Sequence, residues 1–109
     1  MSTLEEVTRL MAGMTVEEKS KLLGLVVREL RGSVPGIASA AGVCGGHATL
    51  VRTRIPVWLL ERARRLGTGD AELLAAYPML RAEDLTNAWA YVSAYPEEID
   101  QQIRANEAA

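Results

Sequence analysis

Two adjacent glycines, Gly45-Gly46, constrain this chain more than any other pair of residues in it. Glycine enters positive φ without steric cost, so the pair reads as the reversal of a small β-hairpin. Pro56 follows with the fixed φ suited to a first helical position. Arg52 and Arg54 then fall on a short strand running into a helix, and residues two apart on a strand project from one face.

Before the glycines the pattern is helical. Thr3-Leu4-Glu5-Glu6 and Thr15-Val16-Glu17-Glu18 each open a helix with a capping box, in which hydroxyl and carboxylate satisfy orphan amides. Gly13 separates the two helices and Gly32 stops the second. Val7, Leu10, Met11 and Met14 share a face in the first; Leu22, Leu23, Val26, Val27 and Leu30 share one in the second. Residues 1–32 therefore read as a helical hairpin with one apolar side, an association module, and the uncharged small-residue run 33–42 as a connector.

Beyond the glycines, helices are expected over 56–66, 70–77 and 82–94, punctuated by Gly67, Gly69 and Pro78. Val57, Leu59, Leu60, Ala63 and Leu66 are the burial candidates of the first, and Leu73 and Leu74 those of the second. In the third, Leu85, Ala88, Trp89 and Val92 recur at helical spacing. Pro96 starts a last helix carrying Ile99 and Ile103. Three short helices with tight turns match a helix-turn-helix trihelical core, a pattern that also occurs in bundles that never meet nucleic acid. The expected fold is mainly α, with this core, the small β-hairpin and the C-terminal helix in residues 43–109 and the helical hairpin ahead of them.

With 109 residues, 49% of them hydrophobic and no Phe, the chain fits one small domain whose Ala- and Leu-rich packing can continue across a dimer. A homodimer is the expected state. Cys44 is the sole cysteine, which excludes an intramolecular disulfide and fits a reducing cytosol. No apolar run is long enough to span a bilayer, and Met1-Ser2-Thr3-Leu4-Glu5-Glu6 lacks the regions of a signal peptide, so a cytoplasmic protein without a membrane partner is expected.

The net charge of −2 hides a segregation. Residues 1–31 carry five acidic and five basic groups; residues 47–66 set Arg52, Arg54, Arg62, Arg64 and Arg65 against Glu61 alone; residues 67–109 set eight acids against Arg81 and Arg104. A basic middle suits phosphate, and an acidic end suits a basic partner.

Val43-Cys44-Gly45-Gly46, Thr53-Arg54-Ile55-Pro56-Val57-Trp58, Ala71-Glu72-Leu73-Leu74 with Tyr77-Pro78, and Glu83-Asp84-Leu85 together resemble the bacterial family called domain of unknown function 433. The shared order covers residues 43 to about 95, and Asn87-Ala88-Trp89-Ala90-Tyr91 with Glu97-Glu98-Ile99 resembles a longer branch of it. The resemblance implies a homeodomain-like helical core after a small β-hairpin, with Cys44, Gly45, Gly46, Thr53, Arg54, Pro56 and Trp58 as its structural motif. It also implies a role as antitoxin in a toxin–antitoxin pair whose toxin is a PIN-like ribonuclease. Where the family often has Lys-Pro after Gly-Gly and Arg-Gly before Thr-Arg, this chain has His47-Ala48 and Val51-Arg52, so a basic group sits one residue later and on the opposite strand face. Residues 1–31 lie outside the core resemblance.

Two readings fit Arg52, Arg54, Arg62, Arg64 and Arg65. One is a nucleic-acid or partner contact, since arginines without lysines favour bidentate recognition; the other is a solvated face paired with Glu61 and the acidic end. The third core helix would be the reading helix of a DNA binder, yet Glu83 and Asp84 at its start oppose phosphate, and Thr86, Asn87 and Tyr91 fit a plain solvent face. Cys44 and His47 have ligand-like spacing but no second pair, so no metal is read; Cys44 packs in a turn and His47 is exposed at the hairpin tip. The carboxylate pairs all occupy first helical turns, where the macrodipole explains them, and Gly45-Gly46 lacks the context of a phosphate loop. Trp58 and Trp89 read as packing anchors. No catalytic residue, cofactor site or enzymatic reaction is expected.

The leading functional expectation is a dimeric, antitoxin-like regulator that neutralises a ribonuclease and binds operator DNA through the arginine-rich hairpin and helix. Its acidic C-terminal helix would lie over a basic RNA-binding cleft. The alternative is a homodimeric protein-interaction module with no nucleic-acid role.

Overall fold

The computed structural model describes residues 2–30, 34–38 and 47–108, so Cys44, Gly45 and Gly46 and the reversal expected at them lie outside the described residues. In chain order the elements are α1 (Thr3–Met11), α2 (Val16–Leu30), β1 (Ile37–Ala38), β2 (Thr49–Leu50), α3 (Val57–Arg65), α4 (Asp70–Ala76), α5 (Ala82–Ala94) and α6 (Pro96–Ala108).

The helix starts follow their capping chemistry. At α2 the Thr15 amide donates to Glu18 Oε1 at 3.0 Å while the Glu18 amide donates to Thr15 Oγ1 at 3.1 Å, the reciprocal box expected from the sequence. At α1 the cap is Ser2, one residue earlier than Thr3: its Oγ accepts from the Glu5 amide at 3.1 Å. Serine caps at least as well as threonine, so the helix gains a residue. At the other end of α3, Gly67 takes φ 100° and Thr68 N–H reaches Ala63 O at 3.0 Å, the glycine stop that fits a Schellman ending.

β1 and β2 pair antiparallel, Ile37 with Leu50 and Ala38 with Thr49. Residues 34–38, expected within a connector, thus supply a strand and place Val34 and Ile37 in the core. The strand expected through Arg52 and Arg54 is not there. The ladder ends at Leu50, the chain turns through 51–53, and Arg54 closes the turn at φ 60° with its amide on Leu50 O. Leu50 N–H then donates to Ile55 O, Val57 N–H donates to Ala48 O, and Thr49 bridges Pro56, a third extended partner that the sequence does not announce. That bridge holds Pro56 extended at ψ 137°, so it caps α3 and Val57 begins it.

α5 is the hub, packed against α2, α3, α4, α6 and β1. Its Leu85, Ala88, Trp89 and Val92 are buried as the spacing predicts, and so are Ala90 and Ala94 on a further face. That face receives α2. Ser20 and Gly24 turn toward α5 beside Val27, while Val26, expected inside, is 46% exposed. Small residues win this side because the two helix backbones approach too closely for larger ones. α6 closes the other end with Ile99 and Ile103 buried. The α3, α4 and α5 sequence keeps the short helices and tight turns of a helix-turn-helix-like core.

Candidate interaction surfaces

Of the five arginines, Arg52, Arg64 and Arg65 are ion-paired within the chain. Arg52, on the turn after β2, donates from Nη2 to Asp84 Oδ2 at 2.5 Å and to the Met79 carbonyl at 2.5 Å, stapling that turn to the start of α5. Asp84 also accepts from the Arg81 amide at 2.9 Å. Partial burial pushes the Asp84 carboxyl up, but the Arg81 amide and the Arg52 guanidinium outweigh it, and the group titrates below the usual aspartate range.

Glu61 is 6% exposed on α3. Its carboxylate accepts from Arg64 Nε at 2.7 Å and Arg65 Nε at 3.1 Å, one helical turn on. Arg65 continues to Asp100 of α6 at 2.9 Å, and Asp100 pairs again with Arg104, so a charged chain ties α3 to α6. The hydrogen bond to Asp100 holds the Arg65 pKa above its ordinary value, and the Arg65 bond holds Asp100 below the carboxylate range. Arg64 lies 4.1 Å over the Trp89 ring, whose Nε1 donates to Asp70 of α4 at 3.2 Å. Arg62 sits 5.2 Å over Trp58, against which the half-buried His47 stands edge-on at 6.5 Å, so His47 is a packing partner and not an exposed hairpin tip. Arg54 is exposed on the turn. The Arg52 and Arg54 side chains do not share a strand face, because neither residue is in a strand.

A reading helix needs one open face. On α5 no residue past Glu83 is fully exposed, and Ser20 of α2 donates to the Thr86 carbonyl at 2.7 Å. Thr86, Asn87 and Tyr91 are half-buried, and Tyr91 donates to Glu98 of α6 at 2.5 Å. Burial first, and the Glu98 carboxylate second, raise the Tyr91 phenol above its ordinary pKa.

The open apolar surface lies elsewhere. Of ten exposed large hydrophobics among the described residues, seven are on the first two helices: Leu4, Val7, Leu10, Met11, Val16, Leu25 and Val26. α1 buries none of its residues. Among the described residues, no cluster of His, Cys, Asp and Glu could hold a metal and no helix is long and apolar enough to cross a membrane.

The family described as Protein of unknown function (DUF433) matches residues 37–92, from β1 into α5. The chain belongs to the DUF433 family. A crystal structure of a DUF433 member protein from Anabaena variabilis ATCC 29413 is 40% identical, with a TM-score of 0.62 over 95% of this chain and 99% of that one. No curated protein matches the chain. The DUF433 match contains Arg52, Arg54, Glu61, Arg62, Arg64, Arg65 and Asp84, whereas Asp100 and the α1–α2 arm lie outside it.

Sequence reasoning gave Glu61 and the acidic end as arginine partners in one of its two readings, a signal readable from carboxylate and arginines at i, i+3 and i+4, but missed Asp100 as the link to α6. It also missed Gly24 and Ser20, whose small size inside an apolar stripe was the available clue.

Proposed function

We propose that this DUF433 member is a non-enzymatic regulator acting by protein contact, of the antitoxin kind, with a PIN-like ribonuclease as its target. One observation carries the protein-contact part: α5, the helix that would read a groove, is covered by α2 along its flank and has no fully exposed residue past Glu83. The engagement of Arg52, Arg64 and Arg65 with carboxylates weighs in the same direction and against operator DNA as the main partner. The family resemblance supplies the target class, and the acidic last third of the chain supplies charge complementary to an RNA-cutting surface. On α6, Glu97, Glu98 and Glu107 are exposed while Ile99 and Ile103 anchor the helix.

The test is co-expression with the product of an adjacent small ribonuclease gene. A stoichiometric complex in which RNA cleavage stops is expected. Undiminished cleavage beside an excess of this protein would sink the antitoxin reading.

The exposed apolar side of α1 favours a second reading, a protein-interaction module with no nucleic-acid role, whose docking surface is the α1–α2 arm.

A further inference from the structure

We draw no further inference here: the strongest candidate, the exposed apolar side chains of the α1–α2 arm, carries nothing beyond the second reading above, because nothing in the structure shows what covers them.

Discussion

Gly24 on α2 sits so close to Ala90 on α5 that a Cβ at Gly24 would lie 2.5 Å from the Ala90 carbonyl oxygen; the Ser93 Cβ would be equally near. The obstructing atoms include backbone, which cannot rotate away. Gly24→Ala should therefore part the two helices. Contacts this short put the overpacking cost in the upper part of its usual range, about 2–3 kcal/mol, offset by about 1 kcal/mol from the better helix propensity of alanine. A net loss of about 1–2 kcal/mol is expected, seen as a melting point several degrees lower, with Gly24→Val worse than Gly24→Ala. Equal or higher stability of Gly24→Ala would mean that α2 does not cover α5 as described.

The Arg52 staple makes a pH prediction. Asp84 titrates below its ordinary value because the Arg81 amide and Arg52 outweigh its partial burial. A carboxylate depressed on folding stabilises above its unfolded value, about 3.9, and that contribution fades as pH falls through the lower folded value. Asp84→Asn should thus be less stable than wild type by about 1–2 kcal/mol at neutral pH and approach it in acid. Urea unfolding midpoints from neutral pH down to strong acid check this. A constant gap across that range would refute it.

The helices and their ends were readable because capping and breaking are local. Thr15 with Glu18, Gly67 and Pro78 act within a few residues of themselves. The turn at 51–54 was not readable: Val51-Arg52-Thr53-Arg54-Ile55 alternates like a strand, and nothing in an arginine announces φ 60°. Pairing of the arginines with Glu61 and the acidic end was legible as one of two readings, but which acids serve Arg52 and Arg65 was not. Asp84 and Asp100 lie far along the chain from Arg52 and Arg65, and only the packing of α5 and α6 brings them near. The apolar face of α1 was legible as a stripe, but that none of its residues is buried is a tertiary fact.

Glu61 is nearly buried between two arginines that stay partly exposed. Removing its charge leaves Arg64 and Arg65 without their common partner and loosens α3 from α6 through Arg65. Glu61→Gln should cost about 1–3 kcal/mol, less than a fully buried pair because solvent screens the arginines. Arg62→Ala, which loses only the Trp58 stacking, should cost less. Thermal melts of the two variants decide the order, and a larger loss for Arg62→Ala would contradict the role assigned to Glu61.

DNA affinity provides the sharpest contrast between the sequence pattern and the folded surface. Counterion release gives a salt slope near −0.9 for each phosphate neutralised, so five free arginines would yield a steep dependence. Arg52, Arg64 and Arg65 already face Asp84, Glu61 and Asp100, so few charges remain to meet phosphates. Binding to the protein's own promoter should be weak and indifferent to sequence, with a slope no steeper than about −2. Asn87→Ala and Tyr91→Phe should leave it unchanged, since Asn87 lies against Gly36 and Tyr91 is bonded to Glu98 of α6. Fluorescence anisotropy against promoter and scrambled duplexes measures both quantities. Promoter-specific binding that Asn87→Ala abolishes would show that α5 reads bases, and α2 would then have to leave Gly24's seat on Ala90 to let it.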